Sequence, residues 1–399
     1  MTNICKANLI FKIKTYLKES KYLALFKYNK VLQKVLNISL KDYKWYSLII
    51  IELIPIKQLK RQENNFICIN SNNNNLTTKN QSSIHIYFNE GKEEIKRDYI
   101  TKDDKVKKIK IIIEYNVKSL RGLFTFCDCI EEVNFINFKR DDIIDMREMF
   151  AFCKSLSKIN LENVKTNNVK KMSQMFRSCL SLTEIDLSNL NLSNVTHIND
   201  MFSGCGNLKK INLKNIDTSN VINMNNIFNG CTSLEYIDLS NLNTKNVTDM
   251  GYMFFNCSSL KEIVFSVKKE NTENVTDMGL MFNGCKKLIK IHNINNFDTS
   301  NVKNMYRMFN ACEELKELDI ENFNTKNVID MRFMFCGCKN LVNLKISNFV
   351  INKKCYLRWM FSLCTEELKN KIKKQNLNIA NVGFEDYLII QWNLFLSIL

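Results

Sequence analysis

The chain has 399 residues, a net charge of +16, 45% hydrophobic and 25% charged residues, ten glycines and one proline. These proportions exclude a collagen-like or low-complexity chain and leave room for one long folded unit with a small extra region. Its three histidines, His85, His197 and His292, are scattered, which excludes chemistry built on clustered imidazoles.

The N-terminal stretch, residues 1–69, is predicted to be a helical region ending in a strand. Ile10, Ile13, Leu17, Leu23, Leu25, Phe26, Val31, Leu32, Val35 and Leu36 form apolar stripes at helical spacing across residues 8–47. Lys6, Lys12, Lys14 and Lys18 interrupt each apolar stretch, so no secretory signal is expected. Trp45 to Pro55 is apolar but short, and is expected to be a buried strand. Residues 70–83 contain four consecutive asparagines, Asn72 to Asn75, and are expected to form a loop.

Residues 84–120 alternate, as in Ile84, Ile86 and Phe88, then Ile109, Ile111 and Ile113, and predict strands that cap the long segment C-terminal to them. The basic excess lies at this end: residues 1–120 hold 23 Lys and Arg against 11 Asp and Glu. The densest run is Lys102, Lys105, Lys107, Lys108 and Lys110. Nucleic-acid binding is the sharp reading of such a run; a solvated strand edge that discourages aggregation is the plainer one. No nucleic-acid signature accompanies the run, so no nucleic-acid partner is expected.

Residues 121–364 are dominated by a repeat. Cys127, Cys153, Cys179, Cys205, Cys231, Cys257, Cys285, Cys312, Cys338 and Cys364 succeed one another at steps of 26, 26, 26, 26, 26, 28, 27, 26 and 26 residues. A fixed period of this size marks a solenoid. Around Cys231 the phrase runs Met224, Ile227, Phe228, Cys231, Leu234, Ile237, Leu239, Asn241, Thr244, Asn246, Val247 and on to Met250. Ile237 and Leu239 are two apart, as in a strand, while Val247, Met250, Met253, Phe254 and Cys257 are three or four apart, as in a helix. The expected class is therefore α/β: a solenoid of about ten coils, each with a short strand and a short helical turn, behind a small N-terminal α+β region. Ten such coils predict a rod or arc of about 45–50 Å.

Within each coil, Gly204, Gly230, Gly284 and Gly337 fall where a helical turn would end at positive φ, and Thr196, Thr248 and Thr276 where it would be capped. Two asparagine columns, one through Asn163, Asn189, Asn215, Asn241, Asn322 and Asn348, the other through Asn168, Asn194, Asn220, Asn246, Asn274, Asn301 and Asn327, are expected to satisfy turn backbone groups as ladders. The repeated cysteines are expected to pack as a reduced interior column; with no Cys-x-x-Cys and few histidines, no metal site and no cofactor are expected. A reducing, cytoplasmic compartment is the inference from the unpaired thiols.

The phrase Met-Phe-x-x-Cys-x-x-Leu-x-x-Ile-x-Leu-Ser-Asn-x-x-Thr-x-Asn-Val-x-x-Met resembles the BspA-like leucine-rich-repeat family in its 26-residue bacterial-surface-protein form. The resemblance covers Leu120 to Cys364. It implies a leucine-rich-repeat-like solenoid, and a family in which several members look like adhesins that bind host or neighbour-cell proteins. Near the N-terminus, Ile13-x-x-Tyr16-Leu17 with Leu23-Ala24-Leu25-Phe26-Lys27-Tyr28-Asn29-Lys30 after it faintly resembles an F-box, without its Leu-Pro opening. That resemblance implies a substrate adaptor; an ordinary helical hairpin is the alternative. Residues 365–399 are expected to cap the last coil. The apolar stretch Tyr387 to Leu399 is too short for a spanning helix of about 20 residues, so no membrane span is expected.

No phosphate loop, nucleophile elbow or metalloprotease motif occurs, so the chain is expected to be non-enzymatic. Residues flanking the repeated Ile should point outward when Ile and Leu point inward. This names a partner-binding face: Lys158, Asn160, Glu184, Asp186, Lys210, Asn212, Tyr236, Asp238, Glu262, Lys290, His292, Glu317, Asp319, Asn343 and Lys345. Its swing between acidic and basic can select a complementary partner, and Tyr236 is its aromatic anchor. The expected function is an intracellular scaffold or adaptor that binds a protein partner as a monomer, with a cell-surface adhesin as the alternative.

Overall fold

The computed structural model describes residues 47–68, 82–114, 117–267, 272–375, 379 and 381–386. The helical stripes of residues 8–47 up to Tyr46, the F-box-like phrase, Cys5, most of the asparagine-rich loop and the tail Tyr387 to Leu399 lie outside the described residues.

Among the described residues, six strands build the N-terminal end: β1 (Ile49–Pro55), β2 (Asn64–Asn65), β3 (Ile84–Phe88), β4 (Tyr99–Ile100), β5 (Ile109–Ile113) and β6 (Ile130–Phe138). Isoleucines at alternate positions give β1, β3 and β5 one buried face each, which fixes the register. The sheet runs β3-β5-β1-β6 in antiparallel order and then continues as a parallel pair into β7 (Lys158–Asn160). That change of direction is the junction between cap and solenoid. It also corrects the edge reading of the basic run. Lys110 lies on β5, an interior strand whose edge neighbour is β3, and Lys108 pairs with Glu52 at 3.1 Å and Glu90 at 2.9 Å.

The solenoid strands come at one per coil: β8 (Glu184–Asp186), β9 (Lys210–Asn212), β10 (Tyr236–Asp238), β11 (Glu262–Val264), β12 (Lys290–His292), β13 (Glu317–Asp319) and β14 (Asn343–Lys345). With β7 they make a β-solenoid of about eight turns, not ten coils. The first copy of the phrase, at Cys127, runs into the long strand β6 of the cap sheet, and the last, at Cys364, runs into helix α1 (Glu366–Gln375).

The short helical turn expected in every coil does not form. In its place the Met-x-x-Met-Phe-x-x-Cys segment has left-handed residues four positions apart: Asn226 has φ 58° and Gly230 φ 72°. Two successive tight turns reproduce the three- and four-residue spacing of a helix, which is why the apolar pattern suggested one. The closing position is left-handed in every coil, whether it holds Gly204, Gly230, Gly284, Gly337, Phe152, Ser178, Asn256 or Ala311. Glycine relieves a strain there that the other residues bear.

Alternate amides of the same segment point along the solenoid. Met224, Asn226, Phe228 and Gly230 donate to the carbonyls of Asp249, Gly251, Met253 and Phe255 in the next coil at 2.7–3.1 Å. Side chains add rungs. The second asparagine column donates to the preceding coil, as from Asn220 Nδ2 to the Ser193 carbonyl and from Asn246 to Ser219, both 2.6 Å. In the first column only Asn322 does so among the described residues, at 3.2 Å to Asn295. Thr196, Thr248 and Thr276 cap no helix; their hydroxyls donate to carbonyls of the coil before at 3.2–3.3 Å.

Two columns fill the core. Phe124, Phe150, Phe176, Phe202, Phe228, Phe254, Phe282, Phe309, Phe335, Phe361 and Phe384 stack ring on ring at 5.2–5.9 Å and interplanar angles of 2–15°. Each such pair adds about 0.5–1.5 kcal/mol beyond the area it buries. Beside them, each repeated thiol from Cys153 to Cys364 donates to the carbonyl of the Phe one coil back, at 2.9–3.3 Å. None of the described cysteines forms a disulfide.

Candidate functional site

The strand row places the sequence-predicted face on the outside, with Ile185, Ile237, Ile263, Ile291, Leu318 and Leu344 buried between its members. The structure divides that face into two columns with different duties. The C-terminal residue of most strands is tied into the turn after it. Asn160, Asp186, Asn212, Asp238 and Asp319 each accept a hydrogen bond from the backbone amide two residues on, at 2.8–3.3 Å. A short side chain that bonds its own backbone in this way stabilises the turn. The first column, Lys158, Glu184, Lys210, Tyr236, Glu262, Lys290, Glu317 and Asn343, carries no such task.

Along this first column, parallel pairing sets unlike residues side by side: Glu184 opposite Lys210, Tyr236 opposite Glu262, Glu262 opposite Lys290, and Glu317 opposite Asn343. Part of the charge is spent within the row. Lys345 reaches Asp319 at 2.9 Å, Lys158 reaches Glu132 at 3.5 Å, and His292 Nε2 is bonded to Glu262 Oε1. The Lys345 ammonium bonded to Asp319 holds that carboxyl below its ordinary range, against the opposing effect of burial. Exposed pairs of this kind contribute little stability.

Six predicted residues converge on one feature. Lys290, His292, Glu317, Asp319, Asn343 and Lys345 line an open recess of about 360 Å³, together with Asn293 and Asn295. Its origin is the 27-residue coil. Other coils place the next inward side chain two residues after the inward Ile, as from Ile237 to Leu239; here Ile291 is succeeded by Ile294. The extra residue is Asn293, held at φ 62°, and a 3-10 turn comes next at Ile294–Asn296. Asn293 Nδ2 donates to the Phe265 carbonyl at 2.9 Å, which ties the displaced backbone to the coil before. β12 and β13 lie in separate sheets, as do β7 and β8 and also β9 and β10. The change of repeat length signals Asn293 in the sequence, although the face was drawn without it. Among the described residues no three His, Cys, Asp or Glu side chains converge as a metal ion would require, and no helix is long and apolar enough to cross a membrane.

The repeat itself settles the family. A model described as "Mycoplasma protein of unknown function, DUF285" matches residues 101–210, 182–266 and 261–375. The chain belongs to that family. The three DUF285 matches together span the solenoid and its approach. No curated protein matches the sequence. Among solved structures, this DUF285 chain is similar to a leucine-rich repeat protein from Bacteroides ovatus, with 17% identity, a TM-score of 0.22, and coverage of 62% of this chain and 79% of that one. It is also similar to the functional domain of InlJ from Listeria monocytogenes, described as including a cysteine ladder, with 15% identity, a TM-score of 0.24, and coverage of 55% and 46%. A third similarity is to TLR13 in a complex with ssRNA13, with 14% identity, a TM-score of 0.17, and coverage of 56% and 43%. This chain therefore spans under half the length of the last two.

Proposed function

We propose that this chain is a non-enzymatic repeat protein of the BspA-like type, acting as a monomeric scaffold or adaptor in the cytoplasm and binding a protein partner through the strand row centred on the β12–β13 recess. The observation that carries the reading is the division of labour on that face. Five of its third-position residues hold turns, while Glu184, Lys210, Tyr236, Lys290, Glu317 and Asn343 in the first position are exposed and varied in charge. Solenoids extend such surfaces by repetition, and partner binding is their common use. The buried, unbridged thiols suit a reducing compartment. A cell-surface adhesin is the second reading, favoured by the repeat phrase; staining of intact against permeabilised cells separates the two.

The test of the face is the double variant Tyr236→Ala with Lys290→Glu. Asp238 is left intact because it holds the turn at Ser240. Capture of the physiological partner should fall about tenfold or more, as for loss of a binding hot spot. Stability should stay within about 0.5 kcal/mol of the parent, as for surface substitutions. Capture that is unchanged in a folded variant removes the strand row from consideration.

A further inference from the structure

A second surface is set apart by composition. In the Met-x-x-Met segment the two intervening positions hold pairs such as Ser173–Gln174, Asn199–Asp200 and Asn225–Asn226 in the earlier coils. In the last three coils they become Tyr306–Arg307, Arg332–Phe333 and Arg358–Trp359. The fold does not demand this change, because the same left-handed geometry is met by Gln174, Asp200 and Asn226.

The new side chains form one continuous stack. The Arg307 guanidinium lies 5.2 Å from the Tyr306 ring and 4.7 Å from Phe333. Arg332 lies 5.3 Å from Tyr306 and 5.4 Å from Tyr356, and Arg358 lies 4.3 Å from Trp359. Phe333 and Trp359 join the two halves at 4.9 Å. Arg332, Tyr356 and Arg358 are exposed. Elsewhere in the solenoid and cap, arginines meet acids, as Arg97 with Asp104, Arg121 with Glu148 and Arg147 with Asp145. In this patch only Arg332 does, through Asp330; Arg307 and Arg358 have no carboxylate partner among the described residues. Asp330 already fills the Arg332 fork with two bonds, so the uncompensated charge of the patch is that of Arg307 and Arg358, each set against an aromatic ring.

We propose that this arginine–aromatic patch is a docking surface for an acidic segment of a partner protein, distinct from the strand row and independent of it. Arginine, tyrosine and tryptophan are the residues in which binding energy concentrates. A guanidinium takes a carboxylate in a two-bond fork, and a ring behind it keeps the fork oriented. Charge complementarity therefore specifies an acidic occupant. A single-stranded nucleic acid asks instead for open ring faces on which bases stack, and here the rings are already engaged by guanidiniums and by one another.

The test is titration of the full chain with a fluorescein-labelled oligoglutamate peptide, with oligolysine and oligouridine as controls. Oligoglutamate should bind, and more weakly as salt rises. Arg307→Ala with Arg358→Ala should weaken it about tenfold or more. Arg307→Lys with Arg358→Lys should fall between, since charge is kept and the fork is lost. The charge-matched Lys170→Ala with Lys214→Ala, exposed and outside both surfaces, should bind as the parent does. An equal loss in the lysine variant would overturn the proposal, because attraction to a net charge of +16 would then suffice. Oligouridine binding that alone depends on Arg307 and Arg358 would overturn it, and so would oligoglutamate binding that appears only after removal of residues 387–399.

Discussion

At the residue scale, the repeated cysteine is a titratable group held where charge is costly. Burial pushes the thiols of Cys205, Cys257 and Cys364 up to about 12 from an ordinary 9.0, and those of Cys231, Cys285, Cys312 and Cys338 well above it. A folded-state value raised above the unfolded one means that the folded chain keeps protons the unfolded chain gives up. The stabilisation is complete below pH 9.0 and is lost as pH rises toward about 12, with a slope of about 1.4 kcal/mol per pH unit for each such thiol. Urea midpoints should hold steady to about pH 8 and then fall steeply by about pH 11. Cys231→Ala with Cys257→Ala should flatten that fall. An equally steep fall in the variant would mean that other groups govern alkaline unfolding. The column was legible in the sequence because one residue type recurred at one period; its pairing with the Phe carbonyl of the previous coil was not, because it depends on the turn geometry.

At the scale of elements, the strand and the rungs were legible and the turn was not. Ile237 and Leu239, two apart, are a strand residue and its successor in the observed fold. Val247, Met250, Met253 and Phe254 have helical spacing but a non-helical backbone, since Tyr252 and Asn256 are both left-handed. Spacing alone cannot separate a helix from paired tight turns; the discriminating quantity is the sign of φ, which Phe152 and Ala311 do not announce. Both caps were expected; what was hidden is that the copies at Cys127 and Cys364 run into them, because those copies look like all the others.

The C-terminal cap carries its own prediction. The Phe361 and Leu363 amides, which point out of the last coil, donate to the Gly383 carbonyl at 2.8 Å and to Asp386 Oδ1 at 2.7 Å. Asp386 also meets the buried Lys369 ammonium at 3.1 Å. Burial opposes that charge, but bonds donated to Glu366 and Asp386 outweigh it and hold the group above its ordinary value. Asp386→Ala leaves a buried cation half-paired, a loss of about 3 kcal/mol. Because a solenoid opens locally, hydrogen exchange at Leu363 should accelerate while exchange at Phe228 stays as it was. Unchanged exchange at Leu363 would show that the cap holds without Asp386.

At the scale of the molecule, the surfaces are used unequally. Ladders of amides, asparagines, threonines, thiols and rings hold the coils together, and they do not draw on the side chains of Glu184, Tyr236, Lys290 or Arg358. The outward row was legible from alternation alone. The division within it was not, since Asp238 and Tyr236 look alike to a pattern, and only the Ser240 amide tells them apart. The recess was foreshadowed by a 27-residue coil whose extra residue proves to be Asn293.

The central claim is that this row meets a protein partner, and site-specific photo-crosslinking in living cells tests it most directly. A photoreactive phenylalanine analogue is placed in turn at Tyr236, at Lys290 and at Lys245, which is exposed on the returning turn. A partner seated on the row predicts a discrete higher-mass adduct from Tyr236 and Lys290 and none from Lys245. Adducts of equal yield from all three positions, or none from the strand row, would contradict it.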